Sequence, residues 1–188
     1  MDDEVFVSAP EEPPKVTFDT NMFMSYARNI GNIKRNAIFD FVKMDCKLVL
    51  LQYALDELAE KVRVWDAPPK AIENLSRIVN FLEASDFEIY PTSNRRDTFL
   101  ESIMADKKDL PILVTAYDHQ IDLLISGDKH FKAAGIKLLD AGKTVPYIMT
   151  EDRFYQRYQN EIREFIDYRK STQNDDELQL FTAKIFER

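Results

Sequence analysis

Short apolar runs alternate along this chain with longer stretches whose apolar residues recur at helical spacing. Val16-Thr17-Phe18 is a β-prone run that stops at Asp19-Thr20-Asn21, residues that end a strand and cap a helix. The helix expected next is broken at Gly31-Asn32. From Lys34 to Asp45, the positions of Ile38, Phe41, Val42 and Met44 are mostly helical. Lys47 to Leu51 is a buried strand. The segment Tyr53 to Val64 then sets Leu55, Leu58, Ala59 and Val62 on one helical stripe. Asp66-Ala67-Pro68-Pro69 interrupts it, and a proline opens a helix toward Leu82 with Ile72, Leu75, Ile78 and Val79 facing inward.

The second half continues in the same way. Phe87 to Pro91 is a third strand, and Arg95 to Ala105 is helical. Asp109 precedes Leu110-Pro111-Ile112, an N-cap with proline in the first turn. Asp122 to Ser126 is the clearest buried strand. It ends in Gly127-Asp128, followed by a short turn or helix at Lys129 to Ala133 and a further strand at Ile136 to Leu139. From Glu151 the chain becomes charged helix, with an apolar stripe of Phe154, Tyr158, Ile162, Phe165 and Ile166. Strands alternating with helices predict an α/β domain with a mostly parallel central sheet covered on both faces and right-handed crossovers. The expected organisation is a flexible acidic arm at 1–15, one domain at 16–145 and a helical C-terminal extension at 146–188.

Composition narrows the function classes. A hydrophobic share of 45% supports a packed core rather than a disordered chain. The formal net charge of −8 argues against broad binding to duplex nucleic acid, yet suits a cluster of acids neutralised by bound cations. Cys46 is the single cysteine, so no internal disulfide is available, and two histidines do not complete a zinc site. The acidic, proline-containing start lacks the pattern of a signal peptide, and no apolar stretch approaches the roughly 18 residues of a membrane helix. A cytoplasmic protein with no membrane partner is expected.

Ligand and catalytic sites in parallel sheets form at the carboxyl ends of the strands. Asp19 follows the first strand, Asp128 follows the strand ending in Ser126, and Asp109 starts the helix that feeds that strand. The helix holding Asp56 and Glu57 begins at the same edge. Each acid also has an ordinary role: Asp19 and Asp109 as caps, Asp128 as a turn residue, Glu57 as a solvated residue opposite the Leu55, Leu58 and Val62 stripe. Convergence is what favours function. Crowded carboxylates repel one another unless a cation intervenes, and hard oxygen donors favour Mg²⁺ or Mn²⁺. Such ions promote in-line attack of water on a phosphodiester.

These residues resemble the PIN-domain family. Val16-Thr17-Phe18-Asp19-Thr20-Asn21 is similar to its first strand and Asp-Ser/Thr-Asn signature, and Leu55-Asp56-Glu57-Leu58 to the helix bearing its second acid, in a register that favours Glu57. Asp109-Leu-Pro-Ile-Leu is similar to the helix start bearing its third acid, and Ile125-Ser126-Gly127-Asp128-Lys129-His130-Phe131 to the motif after its fourth strand. The resemblance implies a three-layer α/β/α fold and a Mg²⁺- or Mn²⁺-dependent endoribonuclease, with Asp19, Glu57, Asp109 and Asp128 as metal ligands. It further implies that Asn21 and Ser126 support them through hydrogen bonds. The family includes toxins of toxin–antitoxin pairs as well as RNA-processing enzymes. Single-stranded or structured RNA, an antitoxin protein and a second copy of the chain are thus the candidate partners. His130 stands where the family often has another aspartate, which keeps open a non-catalytic PIN-like module that binds protein or RNA. An aspartate-based phosphotransferase is disfavoured, because position 21 is Asn where that chemistry usually wants a second Asp. Arg28, Lys34, Arg35, Lys107, Lys108, Lys129 and Lys132 are the basic residues expected near this edge.

Overall fold

Strands whose apolar residues do not alternate with polar ones must be covered on both faces. Lys47-Leu-Val-Leu-Leu51 and Leu123-Leu-Ile125 have that character. In the computed structural model, which describes residues 13–29, 31–64 and 68–160, they are β2 (Lys47–Leu51) and β4 (Leu123–Ile125) of a five-stranded sheet. With β1 (Lys15–Phe18), β3 (Phe87–Tyr90) and β5 (Tyr147–Met149), the order is β3-β2-β1-β4-β5, and every pairing is parallel. The chain leaves β1 toward β2 and β3, then returns to the other side of β1 for β4 and β5. The reversal opens a crevice between the carboxyl ends of β1 and β4, the usual location of sites in such sheets.

Helices α1 (Thr20–Arg28), α2 (Ile33–Asp45), α4 (Pro68–Glu83) and α8 (Glu151–Arg157) contribute to the core on one face of the sheet. Helices α5 (Thr98–Ile103), α6 (Leu110–Asp118) and α7 (Lys129–Asp140) contribute to the core on the other. Helix α3 (Gln52–Arg63) serves both, with Leu58 in the first core and Ala54 in the second. The result is the expected α/β/α arrangement. On the first face Phe39 of α2 is stacked between Phe18 of β1, at 4.3 Å, and Tyr26 of α1, at 4.2 Å. Phe23 and Phe81 meet it edge-on, so one aromatic cluster ties β1 to α1, α2 and α4. Phe154 and Tyr158 pack on Phe41, and the Arg35–Glu151 and Lys34–Asp152 ion pairs fasten α8 to α2.

Several elements differ from the sequence expectation. Ile136 to Leu139 is not a strand but the end of α7. Phe131, Ala134, Gly135 and Leu138 form its buried helical stripe, while Ile136 and Leu139 are exposed. A short apolar run fits either period, and here the helical stripe prevails. The fifth strand is Tyr147–Met149, so the sheet continues past residue 145. Helix α4 buries Asn74, Ile78 and Phe81 against α1, leaving Ile72 at 65% exposure and Leu75 and Val79 half exposed. On α3, Ala59 is exposed and Ala54 buried, since the second core approaches the helix from its N-terminal turn. Helix α5 is confined to Thr98–Ile103 because Asp97 caps it late through the Leu100 amide. The proposed N-terminal arm up to residue 12, and Ile162, Phe165 and Ile166, lie outside the described residues. Among the described residues no helix is long and apolar enough to cross a membrane.

Phe39→Ala should cost about 3–5 kcal/mol in urea unfolding, as loss of a buried aromatic does. Ile72→Ala, on the exposed side of α4, should stay within about 0.5 kcal/mol.

Candidate active site at the carboxyl edge of the sheet

The ladder between β1 and β4 fixes the first acid. Phe18 lies opposite Ile125, and the Asp19 amide donates to the Ile125 carbonyl at 3.2 Å, so Asp19 sits in the crevice mouth. Its side chain is only 2% exposed. Oδ1 accepts from the Met22 amide at 2.8 Å, capping α1, and Oδ2 accepts from the buried Ser126 hydroxyl. Ser126 is itself held by its amide, which donates to the Met149 carbonyl at 3.1 Å. The same hydroxyl oxygen accepts from the Asp128 amide at 2.9 Å. Asp128 then caps α7, with Oδ1 accepting from the His130 amide at 2.6 Å. Thus the ordinary capping role of Asp19 is real, Asp128 is a helix cap rather than only a turn residue, and each cap occupies one carboxylate oxygen. Ser126 thus bonds the Asp19 carboxylate and the Asp128 backbone amide.

Asp109 behaves differently. It stands at the N-cap position of α6, but its backbone is already helical and its side chain makes no capping hydrogen bond. The expected capping hydrogen bond is therefore absent from this half-buried carboxylate. Glu57 is half-buried on α3. The Thr20 hydroxyl donates to its Oε2 at 2.5 Å, and Lys61 pairs with its Oε1 at 2.8 Å. Lys61 also donates to Asn21 Oδ1 at 3.2 Å, so Asn21 reaches the acids through this lysine. Asp56 is exposed and takes a hydrogen bond from Gln52, which separates it from the group. Glu57 lies opposite the apolar stripe of α3, yet α1 runs along α3 and covers that side, with Thr20 bonded to Glu57.

The acids also act on one another. Burial pushes the Asp19 carboxyl up to about 6 despite the Ser126 and Met22 hydrogen bonds, and the charges of Asp109 and Asp128 add to the rise. Burial likewise raises Asp109 to about 6, with Asp106, Asp128 and Glu57 contributing and Lys61 opposing. All four expected acids therefore belong to one electrostatic group. They do not form a closed ligand shell: among the described residues no three acidic, histidine or cysteine side chains are gathered as a metal-holding group. The fit to a divalent cation rests on donor type and charge, with hard carboxylate oxygens crowded at a buried edge and one acid, Asp109, without a capping bond.

Two contributors escaped the sequence reading. Thr20 was legible only as part of a cap, yet its hydroxyl holds Glu57. Lys61 carried a signal, its position four residues after Glu57 on one helix. Of the basic residues expected here, Lys34 and Arg35 are tied to α8, and Lys107 donates to the Glu101 and Met104 carbonyls. The half-buried His130 contributes its amide to Asp128.

Both raised carboxyls bind a proton more tightly in the folded chain than at the ordinary value of 3.8. Their contribution to stability is therefore present at low pH and lost as pH rises through about 6. Metal-free protein carrying Asp109→Asn should melt higher than wild type at pH 7.5, and the gap should close toward pH 5. Parallel melting profiles for the two would contradict the crowding. The comparison cancels other titrating groups, such as Asp45, which burial raises to about 7.

The sequence model for the PIN domain matches residues 15–130. Among solved structures, VapBC2 from Rickettsia felis bound to a DNA fragment from their promoter shares the fold with a TM-score of 0.50 at 16% identity, covering 72% of this chain and 96% of that one. FitAB bound to an IR36 DNA fragment matches with the same score and identity, over 72% of this chain and 94% of that one. Comparison with curated proteins finds no match. With the domain match spanning most of the chain and covering Asp19, Glu57, Asp109 and Asp128 together, the protein belongs to the PIN domain family.

Proposed function

We propose that the protein is a divalent-metal-dependent endoribonuclease that hydrolyses RNA phosphodiester bonds in the cytoplasm. The observation that carries this reading is that Asp19 is buried at the carboxyl end of β1, beside β4, and that Asp109 and Asp128 raise its carboxyl while Asp128 and Glu57 raise that of Asp109. Self-repulsion of that kind destabilises a fold unless positive charge arrives to relieve it. Mg²⁺ or Mn²⁺ held by these four acids would lower the pKa of a bound water and stabilise charge on the phosphate.

The protein's own groups have separate roles in this scheme. Asp19 is anchored by Ser126 and the Met22 amide, so its position is set before any ligand arrives. Ser126 couples Asp19 to the Asp128 backbone, keeping two ligands at a constant spacing. Asp109, with no capping bond, is the carboxylate free to turn toward a cation. Thr20 and Lys61 restrain Glu57 on α3. Membership of the PIN domain family supports the nuclease reading, and the fold shared with VapBC2 and FitAB supports a role as the toxin of a toxin–antitoxin pair with an antitoxin protein as partner.

One observation favours a second reading. Lys61 already pairs with Glu57 at 2.8 Å, as a non-catalytic RNA- or protein-binding module would allow. Cleavage of labelled single-stranded RNA in Mg²⁺, Mn²⁺ or EDTA separates the two. The nuclease reading predicts cutting only with metal. Asp19→Asn and Asp128→Asn should each lower the rate by about 100-fold or more, since metal stabilisation of the transition state is worth several kcal/mol. Ser126→Ala should lower it by about 10–100-fold through misplaced ligands. A folded protein that cuts RNA under neither metal would favour the binding module.

A further inference from the structure

A groove of about 490 Å³ opens between α1 and α3, lined by Asn21, Met24, Ser25, Arg28, Lys61 and Val64. Its α1 side is one face of the helix, since positions 21, 25 and 28 follow helical spacing; its α3 side carries positions 61 and 64, continuing the face that bears Glu57. We propose that this groove is the subsite for the nucleotide flanking the scissile phosphate of a single-stranded RNA, with Lys61 and Arg28 contacting its phosphates and Met24 and Val64 meeting its base or ribose. The inference rests on the nuclease reading above and adds to it where the substrate lies.

The first support is position. Asn21 and Lys61 belong both to the groove and to the acid edge, because Lys61 joins Asn21 Oδ1 to Glu57. A strand whose phosphate sits at the acids has its next nucleotide at this mouth. The second is chemistry. The chain carries a formal charge of −8, yet two cations line this groove, Arg28 and the Glu57-paired Lys61, beside the apolar Met24 and Val64. Val64 is 84% exposed there, an apolar surface of the kind that a base or sugar face covers. The third is size, since a groove of this volume falls within the roughly 300–1,000 Å³ of small-ligand sites and suits one nucleotide rather than a duplex. Both cations stand in the last turns of their helices, where they also complement the helix dipoles. That structural role predicts an effect of substitution on stability and none on RNA affinity.

The test reads binding without cleavage. Fluorescence anisotropy of a labelled single-stranded RNA in EDTA is compared for wild type, Arg28→Gln, Lys61→Gln and Lys61→Arg. Lys132→Gln, in a separate groove between α7 and α8, is the control. Each of the two Gln variants should bind about tenfold more weakly, as loss of a charged hydrogen bond predicts. Each should also flatten the slope of log affinity against log salt by about 0.7. Lys61→Arg and Lys132→Gln should bind as wild type does. In the cleavage assay, Arg28→Gln should raise KM and leave kcat unchanged. Wild-type affinity and slope in both Gln variants, or no binding of RNA by the wild type, would overturn the subsite. If the variants bind normally while wild type cuts RNA, only the subsite fails. If they bind weakly and no cleavage occurs with metal, the nuclease reading fails, and the groove stands as an RNA contact with no scissile phosphate beside it.

Discussion

Burial of the Asp19 carboxylate costs more than its hydrogen bonds return. The Met22 amide and the Ser126 hydroxyl both favour the charged form, yet the carboxyl still rises to about 6. Removing a charge from water outweighs two good donors unless an opposite charge is near. The charges of Asp109 and Asp128 worsen the imbalance. The crevice between β1 and β4 therefore gathers unfavourable charge, which supports the proposal that a divalent cation is held there.

The scaffold holds that arrangement against its own repulsion. Parallel pairing of β1 with β4 locks the Asp19 amide to Ile125, and pairing of β4 with β5 locks Ser126 to Met149. Behind β1, the stack of Phe18, Phe39 and Tyr26 ties the strand to α1 and α2. Behind β5, Gly135 lets α7 lie close to the sheet: a Cβ there would stand 2.9 Å from that of Ile148. Since Asp128 caps α7, the closeness of that helix sets where the Asp128 carboxylate begins. Packing on both faces thus turns local strand and cap geometry into a fixed separation between acids on different elements.

What the sequence revealed follows the range of each interaction. Asp19 and Asp128 were legible because a strand end, a cap and a turn are local, and local chemistry reads well from a few residues. Ser126 was legible for the same reason. Asp109 was legible as a helix start, but its missing cap bond was not, since backbone angles decide it. Only resemblance favours Glu57 over Asp56 in the sequence, because the placement of α1 beside α3 is what distinguishes them. Lys61 and Thr20 depend on that same long-range contact. Ile136 to Leu139 misled because a short apolar run carries no period of its own, and α4 misled because its outward stripe is as apolar as its inward one.

Calorimetric titration of the metal-free protein with Mn²⁺ tests most directly whether the crevice is built for cations. Saturable binding is expected in wild type, lost or sharply weakened in Asp109→Asn, with protons released as pH falls toward 6 because metal competes with protonation of Asp19 and Asp109. A folded wild-type protein that takes up no Mn²⁺, or one whose uptake is unchanged by Asp109→Asn, would contradict the account.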